Sequence, residues 1–341
     1  MIENYRFICP SSSLNTAERI REIIREFDEW ISDPLLAELA DKYGGSQEQL
    51  HCKDFRSRLQ YLYDFASVWD YRKKQTAAIT KEGEAARWLL KDDEVSVGNT
   101  GIIYSTADRL GLSGIYDSVL SEPAFILSLG GANHANISRT LRTLDLLKRI
   151  QAKGPDHLPV IVGLGCSRAL SDDERKKISD YAPEANTEFD AMSTAIEKVY
   201  GAALLDETTE HDADPNKVSI VRKYQSWEFP GLQLYSLCAP SSDPDRRRAD
   251  TGDTLDFLIR TFRIQPEQKI INITSPIYVP QQQIKSLDYA VKNHLEFDTI
   301  GFSQTDIARP EPIKYLQEIK ATIDAMEQFL QNNQIENKEI S

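Results

Sequence analysis

A change of hydrophobic period near Pro123 constrains this chain more than any other feature. Before it, apolar residues recur at helical spacing. After it, short unbroken apolar runs alternate with further helical stripes, the pattern of a parallel sheet with helices on both faces. The expected fold is therefore α/β: a Rossmann-like three-layer parallel sheet over about 119–341, closed by a C-terminal helix, and preceded by an all-helical domain or cap over about 1–118.

The helical part is read from its punctuation. Asn15 and Glu18 fit a capping box, each side chain satisfying a backbone donor at the helix start. Ile20, Ile23, Ile24, Phe27, Trp30 and Ile31 then follow one face. Asp33-Pro34 opens a second helix and Gly44-Gly45 ends it. Phe55, Leu59, Leu62, Phe65 and Trp69 form a third stripe, with weaker helices around Glu82–Leu90 and Ser105–Leu110. In the sheet part, strands are expected at Ala124–Leu129, Val160–Leu164, Leu232–Leu237, Lys269–Thr274 and Phe297–Phe302. An apolar run with no polar alternation suits a strand covered on both faces. Ile137, Leu141, Leu144 and Leu147 mark a helix after the first strand. Further helices are expected at Thr187–Tyr200, Thr251–Phe262 and Pro280–Lys292, and a closing one carries Ile313 to Leu330. Leu205–Pro215 reads as a solvated loop or insertion.

Composition narrows the function. With 53 acidic and 40 basic residues the formal charge is −13, so the surface repels nucleic acid unless a local basic patch overrides it. Arg246–Arg248 and Arg72–Lys74 are short and lack interleaved aromatics. No stretch approaches a membrane span of about 20 apolar residues. The first residues lack the basic start and apolar run of a secretory signal, and a cytoplasmic location is expected. Cys9, Cys52, Cys166 and Cys238 are far apart with no C-x-x-C pair, as for reduced core residues.

In an open parallel sheet, ligands bind beyond the carboxyl ends of the strands, where loops meet helix N-termini. Four such junctions hold the candidate residues. Gly130, Gly131, Asn133 and His134 follow the first strand; the glycines suit either a tight turn or close approach to a ligand, and His134 is a candidate acid/base. Gly165, Cys166, Ser167 and Arg168 follow the second. That loop superficially resembles a dinucleotide fingerprint, but Arg168 replaces its third glycine. Ser167 and Arg168 suit a phosphate or carboxylate, and a nucleophilic Cys166 would need a base that no sequence feature supplies. Asp250, Thr251 and Asp253 stand at a helix start, where carboxylates either cap the helix or bind a divalent metal. Thr274, Ser275 and Tyr278 follow a fourth strand, in either a pocket or an ordinary proline-punctuated loop. No G-x-S-x-G, H-E-x-x-H, Walker or EF-hand motif is present.

The order of these junctions resembles the YdcF/SanA/ElyC-like family, a bacterial Rossmann-like domain. The matching segments are ILSLGGANHANISRTLRTL, VIVGLGCSR, Thr187 to Met192 with Glu188, Asp250 to Thr254, and INITSPIYVPQQQIKSL, over about 124–300. The signatures are altered at several positions. The resemblance implies a nucleotide-sized or phosphorylated ligand, with S-adenosylmethionine or a nucleotide as candidates, and no defined chemistry. The expected function is binding of an anionic small molecule at the sheet edge, with phosphoester hydrolysis using His134, Glu188 and Asp253 as its catalytic form. The alternative is a non-catalytic nucleotide or S-adenosylmethionine sensor.

Overall fold

A computed structural model of the chain describes residues 4–75, 90–92, 95–131, 134–303 and 309–335. Contacts divide it into two compact units: a helical one from residues 1–114, 276–292 and 304–341 as far as they are described, and a sheet unit from 115–275 and 293–303. The chain is thus an α/β protein with a Rossmann-like sheet and an N-terminal helical region.

The helical unit opens with α1 (Thr16–Ile31) and α2 (Pro34–Lys42). The Asn15/Glu18 capping box is formed, and Asp33 caps α2 with Pro34 in its first turn. Gly44 follows at φ +87°, a conformation that suits glycine. Then come α3 (Gln47–Leu50), α4 (Phe55–Phe65) with a 3₁₀ turn through Trp69, α5 (Tyr71–Lys74) and α6 (Thr100–Arg109). The helix expected at Glu82–Leu90 falls outside the described residues except for Leu90. Two later helices belong to this unit: α11 (Val279–Asn293), through residue 292, and α12 (Pro312–Asn332). Ile313, Leu316, Ile319, Ile323, Met326, Phe329 and Leu330 of α12 share one core with Phe27, Trp30, Leu59 and Trp69. The closing helix, expected to finish the α/β part, instead fills the core of the first third.

The sheet unit contains β1 (Phe125–Ser128), α7 (Ala135–Gln151), β2 (Val160–Gly165), α8 (Asp172–Lys177), α9 (Glu188–Tyr200), β3 (Ala202–Glu210), β4 (Ser219–Ser226), β5 (Leu234–Cys238), α10 (Thr251–Phe262), β6 (Lys269–Thr274) and β7 (Glu296–Gly301). The strand order is β3-β4-β5-β2-β1-β6-β7. The five strands from β5 to β7 are parallel, and β3 and β4 add an antiparallel edge. All five expected strands are present to within two residues at either end. Of Leu205–Pro215, read as a solvated loop or insertion, Leu205–Glu210 lies in β3, which pairs with β4. Beyond Ala202 no residue of β3 is buried, so an edge strand wet on both faces leaves no apolar period to read.

Ile126, Ile161, Ile271 and Ile273 pack with Leu146 and Leu147 of α7 and Ile196 and Tyr200 of α9 on one face. Phe262 of α10 meets Phe125 and Tyr235 on the other. Side chains alternate across a strand, so these contacts assign the two faces. Of the apolar stripe expected for α7, Leu147 is buried and Leu144 and Ile137 pack against core clusters, whereas Leu141 is turned outward, 51% exposed. The buried face of its first half is polar, with Asn136, Arg139, Thr140 and Thr143.

Candidate functional site at the carboxyl rim of the sheet

Because β5, β2, β1 and β6 are parallel neighbours, the loops that follow them leave from one rim in that order. Connections diverge at β1 and β6: the chain leaves β1 toward β2 and leaves β6 toward β7. That divergence is the switch point at which open α/β sheets leave room for a ligand.

Close backbone packing accounts for the glycines. A Cβ on Gly130 would lie 2.6 Å from the Leu164 carbonyl oxygen, and one on Gly165 would lie 2.8 Å from the Phe189 Cα. Gly163 likewise lets Met192 approach, a Cβ there falling 2.8 Å from its Cγ. The G-x-G at the end of β2 therefore seats α9 on the strand.

Glu188, the first residue of α9, is buried in a charged network. Arg168 donates to its Oε1 at 3.0 and 2.6 Å, and to both oxygens of Glu174 at 2.9 and 2.8 Å. The Cys166 thiol donates to Glu188 Oε2 at 2.7 Å. Arg248, from the loop after β5, donates to Glu188 Oε1 at 3.3 Å. Burial opposes ionisation of Glu188, but Arg168, then Arg248, hold its carboxyl below the usual range. Burial, reinforced by Glu188, pushes the Cys166 thiol well up. The pair is a carboxylate and a neutral thiol, the reverse of an activated nucleophile.

Asp250 and Asp253 form the capping box of α10, with Thr251 as its first residue. Asp253 also accepts from the Ser242 N–H at 3.0 Å and pairs with Arg247. The Ser167 hydroxyl donates to the Pro215 carbonyl. His134 stands at the cap position of α7 without a side-chain capping bond, half exposed and 3.7 Å from Asp180. Asn133 lies outside the described residues. Tyr278 lies in the 3₁₀ turn Pro276–Tyr278 of the helical unit. Among the described residues no three His, Cys, Asp or Glu side chains gather as metal ligands would, and no helix is long and apolar enough to cross a membrane.

Two residues at this rim were not singled out from sequence. Arg139 of α7, almost wholly buried, donates to the Leu129 carbonyl at 2.5 Å, to the Gly130 carbonyl, and to Ser275 Oγ at 2.9 Å. It ties the loops after β1 and β6 together. Thr274 ends β6 fully buried beside Ser275. The second is Arg248, whose signal was its place in an arginine run just before a helix cap.

The fold defines an open α/β protein with a mostly parallel, Rossmann-like sheet. Residues 15–111 match the family described as the Rv3785 N-terminal domain. Over 353 residues the chain is 27% identical to the uncharacterized protein Rv3785 of Mycobacterium tuberculosis (strain ATCC 25618 / H37Rv), covering 96% of this chain and 94% of that protein. The same identity and coverage hold for the uncharacterized protein Mb3814 of Mycobacterium bovis. These matches overturn the resemblance to the YdcF/SanA/ElyC-like family: the likeness runs nearly end to end with a different group and includes the helical region. The motifs that suggested it have local explanations, since VGLGCSR is helix–strand packing and Asp250 to Thr254 holds a capping box.

Proposed function

We propose that this protein binds a phosphorylated or nucleotide-like small molecule at the carboxyl rim of its sheet, with Arg248 as the contact for the anion. The carrying observation is the state of that guanidinium. Its side chain is 42% exposed and makes one long bond to a carboxylate that Arg168 already engages twice. Arg168, with its fork occupied by Glu174 and Glu188, serves as the anchor of the network. A guanidinium held at one corner keeps further donors for a phosphate or carboxylate. Binding is better supported than hydrolysis. Glu188 is held ionised by arginines and Cys166 is held protonated, so neither is poised near neutral pH as an acid/base or a nucleophile.

The test is a thermal-shift and turnover panel of inorganic phosphate, AMP, ATP and S-adenosylmethionine. A ligand at 100 times its Kd stabilises the folded state by about 2.7 kcal/mol. We expect at least one anionic compound to raise Tm and to be recovered unchanged, and Arg248→Ala to weaken it about tenfold, the loss of one charge-assisted contact. Absence of any shift, or equal shifts in the variant, refutes the reading; consumption of the compound would make it a hydrolase.

A further inference from the structure

We infer that the outer edge of β3 is an interaction surface that takes an extended, lysine- or arginine-rich segment of a partner protein as an added strand. This edge shares no residue with the proposed rim site, so its partner and the ligand of that site are independent matters.

β3 stands at one end of the strand order. One side of it pairs with β4, and no described strand pairs with the other. An edge strand directs the N–H and C=O of alternate residues outward, a template for a further strand. Natural edges are commonly kept short, or guarded by proline or lysine. β3 runs for nine residues, and its sequence AALLDETTE holds neither; a common strand has about five or six. Burial does not account for that length, because beyond Ala202 none of the strand is buried. A bulge between Leu204 and Asp206 interrupts the pairing with β4, and residues 206–210 continue in unbroken register beyond it.

Charge selects the partner. Asp206, Glu207 and Glu210 are the charged residues of the strand, and all are acidic. Glu207 is engaged by Arg222 of β4 at 2.7 Å. Asp206 accepts the Glu207 N–H and Glu210 accepts the Ser219 hydroxyl, but among the described residues neither carboxylate has an ion-pair partner. Two copies of β3 laid antiparallel along residues 206–210 would set Asp206 of each opposite Glu210 of the other, a repulsive pairing. A basic strand would meet two open carboxylates there instead. At the other end of β3, Leu204 and Leu205 are exposed, and Trp227 is 68% exposed. A Cβ on Gly201, just before the strand, would lie 3.0 Å from Trp227 Nε1 and 2.8 Å from Glu228 Oε1. An open indole beside a carboxylate suits a long cationic side chain, whose stem packs on apolar surface while its head keeps the charge.

The test is calorimetry and backbone hydrogen exchange on the full chain, with a capped decapeptide of alternating lysine and valine and its glutamate–valine counterpart. The lysine peptide should bind, slow exchange of amides within residues 203–210, and leave those of β1 and β2 unchanged. The glutamate peptide should not bind. Asp206→Asn combined with Glu210→Gln should weaken the lysine peptide about fivefold, the loss of two exposed ion pairs, without changing Tm. Absence of binding overturns the proposal. Binding that leaves β3 unprotected, or that is equally strong in the double variant, also overturns it, since that is general attraction to an acidic protein. Protection of β3 that appears on raising protein concentration alone, with a dimer in sedimentation, would seat a second copy on this edge and overturn it as well.

Discussion

Glu26 carries a pH dependence that can be measured without knowing the ligand. Its Oε2 accepts the Ile8 N–H at 2.8 Å, and its carbonyl accepts the Tyr5 hydroxyl at 2.6 Å. Burial first, with Glu29 and Glu22 adding to it against the Ile8 bond, pushes its carboxyl up to about 7. A folded-state pKa above the unfolded value means that the folded chain holds the proton more tightly. Stability from this group is therefore full below about pH 4.5 and is lost as pH rises toward 7. The loss is on the order of 1–3 kcal/mol. We expect Glu26→Gln to flatten the fall in Tm between pH 5 and 7.5 that the wild type shows; an identical slope in both proteins would contradict the assignment. At this scale the sequence was a partial guide. The caps at Asn15, Asp33 and Asp250 were legible because each depends on residues no more than three positions away. Arg139 was not, because the bond that joins the two loops reaches Ser275, far along the chain.

Among the elements, the contact between β2 and α9 bears most directly on the site, since it sets the position of Glu188. Replacing Gly165 with Ala places a Cβ 2.8 Å from the Phe189 backbone, which cannot rotate aside. We expect a loss of about 1–3 kcal/mol, as for other overpacked sites. Gly131→Ala should cost less, because its Cβ meets a side-chain end, that of Arg139, at the longer distance of 3.2 Å. Urea midpoints of the two variants decide the matter, and equal values would remove the steric account. The central strands were readable because burial on both faces leaves an unbroken apolar run, as in Lys269–Thr274. The polar part of the buried face of α7 was missed for the opposite reason. Leu141 lies outward, while polar Thr140 and Thr143 lie inward, Thr140 facing Ser128 at 3.2 Å and Thr143 meeting the Tyr200 hydroxyl at 2.7 Å. A buried polar face has no hydrophobic signature.

For the whole molecule, chain order and core membership disagree. The helical unit draws on three separate stretches, and α12 contributes to its core the seven apolar side chains named above together with Tyr315 and Ala325. Full burial of each of the seven named is worth about 1.5–3 kcal/mol, in sum comparable to the whole 5–15 kcal/mol of a typical domain. A fragment of residues 1–114 should therefore lack a cooperative unfolding transition, and adding residues 304–341 as a separate peptide should restore part of the helical circular dichroism. A sharp transition in the fragment alone would count against this account. The three-segment core was not legible because helical periodicity shows which face is buried but not which partner covers it.

That interleaving has a consequence for synthesis. The first third leaves the ribosome long before the helix that completes its core, with roughly 200 residues still to come. At about 5–20 residues per second the wait is on the order of 10–40 s. Throughout it, Trp30, Leu59 and Trp69 have no α12 to cover them, so the nascent chain is an expected client of chaperones that shield apolar surface until translation ends.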